Sequence, residues 1–545
     1  MPPARRPWPA ILYALALIAI TTLVYGVAWS GASANNRFSG FLFAADDGYS
    51  YIAKMRQGAA GDLAFTLPYT TETHDPVPLV FLAYMLPGRL IGQFIPETDP
   101  GLTDALVAGY HAMRLIGATL YLFVLYRFIS AFVVSNRLRL LAFVLATIGG
   151  GLGWLLPLVV GRLPPEYFIP EGFGFLIVWG LPHLTFARAA LLGGLLLMFR
   201  AAEEDHQWHW ALGAALCWGV MGLIVPFYLA VLYAVLAAWA AMVWLRARAM
   251  PKRLIAALAL GAGLTLPLFA YFAFQFTANP AMAAWSAQNQ LPSPPLIDYV
   301  LAYLPLLIPA VSALPFVWAS AWDKGRLTLL VGWLAVAPLL AYFPISVQRR
   351  LLEGVIVPLS ILATIGLAGW ARHGSAGRLA AGGMVALASL STLLLLVGSW
   401  SAVRQPAPPL YRPAGEAAAL DWLNAHAPAG AVVLSAFETG NVVPAFTHLR
   451  PFAGHGPETL AAVEKTRLLE AFFRDELTPE DADALLAGPC LAPEPLPCSA
   501  PVDYVLFGPL EQAITGQTEP GAWADGWTSV YDDAGFRIYA PPATS

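Results

Sequence analysis

Two carboxylates in succession, Asp46 and Asp47, close an apolar stretch and run into Gly48-Tyr49-Ser50-Tyr51. Neighbouring acids repel. In a partly dehydrated site either one of them binds a proton more readily than usual, or a cation keeps both ionised. The first arrangement makes a general base; the second makes a divalent-cation site, for Mg or Mn. Asp-Asp-Gly is also ordinary turn chemistry, in which case the pair is simply solvated. A second group, Gln348-Arg349-Arg350 with Glu353 one turn later, has the opposite sign. Glu353 can neutralise one guanidinium, whereas a phosphate can engage both through paired hydrogen bonds. Contact with lipid head groups is the plainer reading.

The elements that must position these groups are membrane helices. Of 545 residues 58% are hydrophobic and only 12% charged, where soluble domains carry roughly a quarter charged residues. The apolar residues come in long uninterrupted runs, at 10–29, 104–128, 140–160, 174–199, 209–224, 226–245, 254–276, 298–320, 327–344, 353–370 and 379–400. These predict an α-helical polytopic membrane protein with about eleven spanning helices. Pro226 divides a stretch too long for one crossing. The first run follows Arg5 and Arg6 but shows no clear cleavage site, so it reads as a retained helix. Residues 79–95, with Pro87, Gly88, Arg89 and Gln93, are short and read as an amphipathic helix on the membrane surface. No internal repeat or low-complexity tract is present. The net charge of −4, with no basic tail, offers nothing to nucleic acid.

Basic residues orient the spans. Arg137 and Arg139, then Arg246, Arg248, Lys252 and Arg253, then Lys324 and Arg326, then Arg372 and Arg378 fall in alternate loops. The positive-inside rule makes those loops and the N-terminus cytoplasmic. The first outer loop, 30–103, then holds the carboxylate pair, and Arg349 and Arg350 lie outside against the charge bias. Several weaker candidates share that side: Lys54, Arg56, His74 and Asp75 in the first loop, His111 and Arg114 near a helix end, Glu166 and Glu171 in the second outer loop, and His183 after Pro182. Each of them alone reads as an interface residue.

The expected domains are a membrane part, 1–400, and an extracytoplasmic part, 401–545, joined by the proline-rich linker Gln405–Pro413. In the second part helical stretches at 414–424 and 460–473 alternate with short apolar strands at 431–435, 502–507 and 536–539, which predicts a small α/β domain. Cys490 and Cys498 lie in its proline-rich loop and can pair in an oxidising compartment, while Cys217 sits in an apolar run. The segment Gly454-His455-Gly456-Pro457-Glu458-Thr459 carries no assignment from sequence. Lysine occurs only at 54, 252, 324 and 465, which reads as genome bias.

An N-terminal span, a long outer loop opening with Asp46-Asp47 before Gly-Tyr-Ser-Tyr, and many further spans resemble the GT-C superfamily of polytopic glycosyltransferases. The nearer likeness is to bacterial and archaeal proteins similar to dolichyl-phosphate-mannose-protein mannosyltransferases. The resemblance implies catalytic roles for Asp46 and Asp47, as base or metal site. It implies a donor-phosphate role for Arg349 and Arg350, since QRRLLEGVIVP looks like the family's late arginine segment. Tyr49, Lys54, His74, Arg114, Glu171, His183 and Glu353 become candidate substrate contacts. The implied activity is inverting transfer of a sugar from a polyprenyl-phosphate-linked donor in the lipid bilayer to an acceptor on the extracytoplasmic side of the cell membrane. Many relatives carry a Pro-Pro surface segment in the first loop, where this chain reads His74-Asp75-Pro76-Val77-Pro78. Two other readings are a transporter or flippase for lipid-linked glycans, and a non-catalytic sensor or scaffold with an outer binding domain. Largely uncharged spans favour chemistry at the surface over transport.

Overall fold

The computed structural model describes residues 7–203, 208–319 and 325–541; Arg5, Arg6 and Lys324, part of the expected inside charge, fall outside them. Among the described residues seven helices are long and apolar enough to cross a bilayer: Trp8–Ser30, Leu102–Ser130, Asn136–Val160, Pro182–Glu203, Tyr228–Ala247, Leu296–Ala319 and Gly374–Ala402. Lys252–Gly263 and Leu266–Ala278, bent by 45°, add an eighth if they make one crossing. Shorter apolar helices, Trp208–Ile224, Arg326–Ala341 and Ile356–Trp370, stand at the other predicted positions. Leu12, Leu15 and Leu23 on the first helix are exposed, as faces solvated by lipid require. The chain is a multi-pass membrane protein.

The chain folds into two compact units. One comprises residues up to Val24, Met113–Phe272 and Gln290–Ala402; the other comprises Tyr25–Ala112, Ala273–Asn289 and the chain from Val403 onward. In the first, helix Ile356–Trp370 is buried along most of its length. A Cβ on its Gly366 would lie 1.9 Å from the Pro309 carbonyl oxygen, so hydrogen at that position lets two helices meet backbone to backbone.

Two expected spans are interrupted in this unit. Helix Asn136–Ile148 ends at Gly149, and the chain continues through a 3₁₀ turn, Gly153–Leu155, before Leu156–Val160. Four of the freed amides find partners away from the helix. Gly150 N–H donates to the Ala388 carbonyl at 2.7 Å and Leu152 N–H to that of Leu301 at 2.8 Å. Gly151 and Gly153 N–H both donate to Glu166 Oε1 at 3.2 Å. Backbone that leaves a helix at membrane depth must find such partners. The run expected at 174–199 divides into Phe175–Gly180 and Pro182–Glu203, because Pro182 cannot continue the helix that precedes it.

The second unit carries a five-stranded sheet. Arg450–Pro451, Val432–Leu434 and Tyr504–Phe507 are parallel neighbours in that order; Phe536–Ala540 and then Thr528–Asp533 follow antiparallel. Its core joins Val432, Leu434, Phe452, Leu469, Phe472, Phe473, Val505 and Phe507. Helices Ala414–His426 and Ala462–Phe473 stand where the sequence places them. Cys490 and Cys498 form a disulfide. Two short ladders involve the first loop: Asn36–Phe38 pairs antiparallel with Tyr411–Pro413 of the linker, and Ala64–Phe65 with Val77–Pro78.

The short helix expected at 79–95 is Leu82–Gly92. It buries Tyr84, Met85 and Gly88 while Leu86, Leu90 and Phe94 stay exposed. Its buried face meets helix Ala45–Ala59 through glycines. A Cβ at Gly88 would lie 1.9 Å from Met55 O, one at Gly58 2.0 Å from Met85 O, and one at Gly92 2.3 Å from Ala59 O.

Gly88→Val therefore has to push the two helices apart, at a cost of about 1–3 kcal/mol or more. We expect a lower melting temperature in detergent, while Gly26→Ala, where nothing lies within 4 Å of the added atom, melts like wild type. Equal melting of all three proteins would refute this account of the packing.

Candidate active site

Helix Ala45–Ala59 opens at Ala44, which takes the left-handed conformation with φ 46°, and its first turn carries Asp46 and Asp47. Unpaired amides there favour negative charge. The sequence reading of Asp-Asp-Gly as a solvated turn gives way to a helix start. Gly48 is needed because a Cβ would sit 2.4 Å from the Phe41 ring. Phe41 is buried and packs edge-on against Tyr49 and Tyr110, so the helix start is fixed by an aromatic cluster. Tyr49 is itself buried in that cluster.

The segment unassigned from sequence comes to this helix. His455 Nε2 lies 3.2 Å from Asp47 Oδ1. Glu458 Oε1 accepts from Lys54 Nζ at 2.6 Å and from Ser50 Oγ at 2.8 Å, and Lys54 also donates to Ser50 Oγ. Lys54 lies 4.3 Å from the centre of the Phe81 ring, a cation–π contact. Ser50, Lys54, His455 and Glu458 are buried. Asn441 Nδ2 reaches the Asp46 carbonyl at 3.5 Å, and Tyr69 donates to the Asn441 carbonyl at 3.0 Å.

The loop is held by backbone contacts as much as by charge. Gly454 lies so close to Gly440 that a Cβ would come within 2.7 Å of its carbonyl carbon. Its N–H donates to Thr459 Oγ1 at 3.1 Å. Gln288 Nε2 donates to the carbonyls of Pro457 and Thr459 at 3.3 and 2.9 Å. Asp46 is exposed at the surface, yet partial loss of water around it raises its proton affinity above the ordinary aspartate range; Asp47 and Glu438 push the same way, against His455 and Arg412.

A divalent cation held by Asp46 and Asp47 would take its remaining ligands from water or from substrate phosphate. Among the described residues no three His, Cys, Asp or Glu side chains converge on one point. The chemistry derived below runs through side chains alone.

Several other candidates from the sequence hydrogen-bond within the fold. Leu67 N–H donates to His74 Nε2 at 2.9 Å, so the ring proton sits on Nδ1 and reaches the Glu72 carbonyl at 2.8 Å. Burial lowers the affinity of this ring for a second proton. Asp75 is exposed. Arg56 donates to the carbonyls of Ala445 and Glu97 and to Thr103 Oγ1. His111 Nε2 lies 3.0 Å from the Gly40 carbonyl.

In the other unit, Arg349 and Arg350 lie in the 3₁₀ turn Gln348–Leu352. Arg350 Nε is 3.6 Å from Glu171 Oε1, and the Arg349 guanidinium lies 5.1 Å from the centre of the Phe168 ring. For Glu353, which the sequence reading allowed to neutralise one of them, the structure shows another partner. It pairs in two-pronged fashion with Arg188, at 2.6 and 2.9 Å, both side chains being fully buried. Arg188 also donates to the carbonyls of Phe173, Pro170 and Glu171. Arg188 is a charge inside a run that otherwise reads as apolar, and that is the signal the sequence offers for it. Arg114 is buried and reaches Thr22 Oγ1 at 3.2 Å; His183 is the second residue of helix Pro182–Glu203. Burial raises the Glu171 carboxyl against the opposing pull of Arg350.

No protein-family model and no curated protein matches the chain. Among solved structures it is similar to ArnT from Cupriavidus metallidurans, apo at 13% identity and bound to undecaprenyl phosphate at 14%, each with a TM-score of 0.49 over 98% of both chains. It is also similar to the apo oligosaccharyltransferase of Archaeoglobus fulgidus, at 13% identity and TM-score 0.47, over 97% of this chain and 75% of that one.

Removing one partner of a buried ion pair strands the other, at about 3–5 kcal/mol. Glu353→Leu should therefore melt well below wild type in detergent, and so should Arg188→Met. The double variant should lose clearly less than the sum of the two. Additive losses would show that the pair is not coupled.

Proposed function

We propose that this protein is a membrane glycosyltransferase, moving a sugar from a polyprenyl-phosphate-linked donor to an acceptor hydroxyl on the extracytoplasmic side, with inversion. One observation carries the reading. The carboxylate pair at the start of helix Ala45–Ala59 is differentiated: Asp47 faces His455 at 3.2 Å, while Asp46 stays exposed beside it, with its proton affinity shifted upward. A base poised above the usual aspartate range is the group that direct displacement needs. Asp46 accepts the proton of the acceptor hydroxyl as the oxygen attacks the anomeric carbon. The bond from that carbon to the donor phosphate breaks on the opposite face, and the electron pair leaves with the phosphate. We assign charge stabilisation of that phosphate to Arg349 and Arg350.

The charge bias of the loops supports a cytoplasmic N-terminus and an outer C-terminal segment. The Cys490–Cys498 disulfide agrees with that side, since such bonds persist in oxidising compartments.

The test uses proteoliposomes and a panel of radiolabelled polyprenyl-phosphate hexoses and pentoses. Asp46→Asn should slow transfer by about a hundredfold or more, and Asp47→Asn should also impair it. Transfer at the wild-type rate by both variants would end the proposal.

The raised affinity of Asp46 has a signed consequence. The base works only when deprotonated, so kcat/KM should fall as pH drops through a value above the ordinary aspartate range. The groups that set this limb are Asp47, Glu438, His455 and Arg412. Arg412→Gln removes a nearby positive charge and should move the limb to higher pH. Movement to lower pH, or no acidic limb at all, would contradict the assignment of Asp46.

A further inference from the structure

We propose that His455 is the positioning residue of the carboxylate pair: its Nε2–H fixes the Asp47 carboxylate, while the buried Lys54–Glu458 pair stands on the other side of the ring. The inference rests on the transferase reading and adds to it a group that touches neither sugar nor phosphate.

The ring of His455 is almost fully buried, at 8% exposure, and stands between two carboxylates. Nε2 lies 3.2 Å from Asp47 Oδ1, and Nδ1 lies 3.9 Å from Glu458 Oε1. Among the described residues Nδ1 has no hydrogen-bond partner, and neither has Glu458 Oε2. A neutral imidazole carries one proton and must place it on one nitrogen. On Nε2 the proton completes a hydrogen bond to a charged acceptor; on Nδ1 it faces a carboxylate beyond hydrogen-bonding distance. In the neutral ring the proton therefore sits on Nε2, the donor that the charged ring keeps as well. The bare Nδ1 of the neutral ring can rest beside Glu458 because Lys54, 2.6 Å from the same oxygen, cancels the negative charge there.

The ring is held from outside as well. Tyr69 lies against it, with centroids 5.4 Å apart. The Gly440–Gly454 contact and the two hydrogen bonds from Gln288 fix the backbone on either side. With its carboxylate turned to the imidazole, Asp47 is held in one orientation, and its charge helps to raise the proton affinity of Asp46. The pair thereby divides its labour: one acid accepts a proton, and the other holds the field around it.

Two substitutions separate positioning from packing. His455→Gln keeps an N–H donor at similar reach but has no ring; His455→Phe keeps a ring but has no donor. With the polyprenyl-phosphate sugar that wild type turns over, His455→Phe should lose about tenfold or more in kcat, the scale expected when a reacting group is misplaced by a fraction of an ångström. The KM for the donor should stay within about twofold, and His455→Gln should recover most of the rate. A purely structural histidine would behave otherwise. Both variants would melt lower and yield less protein, with kcat per folded molecule unchanged, and that result would overturn the inference. A normal kcat in His455→Phe alongside a severe loss in Asp46→Asn would overturn it too, while leaving the transferase reading intact. A readout independent of turnover is the ¹⁵N spectrum of histidine-labelled protein in nanodiscs, with the His455 signal identified by its loss in His455→Gln. We expect a proton on Nε2 and a shift of that signal in Asp47→Asn; a proton on Nδ1 would refute the geometry.

Discussion

Lys54 and Glu458 stand 404 positions apart in the chain and 2.6 Å apart in space, both out of water. A charge removed from solvent costs several kcal/mol unless an opposite charge and further hydrogen bonds meet it. The first loop can therefore bury its lysine only with the C-terminal segment in place, and that segment can bury Glu458 only against the loop. Ser50 completes the arrangement by donating to the same carboxylate oxygen. The candidate site hangs on this pair, because Glu458 and His455 share one turn and Asp47 and Lys54 share one helix.

The same rule operates elsewhere in that unit. Lys465 and Glu72 form a second buried pair at 2.9 Å, with Thr70, Thr71 and Ser499 hydrogen-bonded around it. Burial pulls the Lys465 proton affinity down while Glu72 opposes it. Of four lysines in the sequence, two thus join the first loop to the C-terminal segment. Their scarcity read as composition; their placement is structural. In the helical unit Arg188 and Glu353 follow the same logic, with carbonyls of the turn at 170–173 supplying the remaining acceptors.

The helices themselves were legible because their cause is local. A run of about twenty apolar residues needs no knowledge of its neighbours to prefer lipid, and each run marked in the sequence has a helix on it. The breaks were less legible. Pro182 announces its own, whereas the interruption after Ile148 depends on Glu166 and on two other helices offering carbonyls to freed amides. The α/β character of the C-terminal segment followed from alternating patterns. Its strand order did not, since Phe536–Ala540 enters beside Tyr504–Phe507 rather than at an edge.

Sequence alone determined that the chain crosses membranes repeatedly and that Asp46, Asp47, Arg349 and Arg350 are charges in need of an explanation. Both conclusions rest on composition and local spacing, which a linear text carries in full. Tertiary structure alone decided which partners those charges have. Only folding brings His455 to Asp47, Glu458 to Lys54 and Arg188 to Glu353. Such pairings depend on which dehydrated groups arrive at the same place, and hundreds of intervening residues hide that from any reading along the chain.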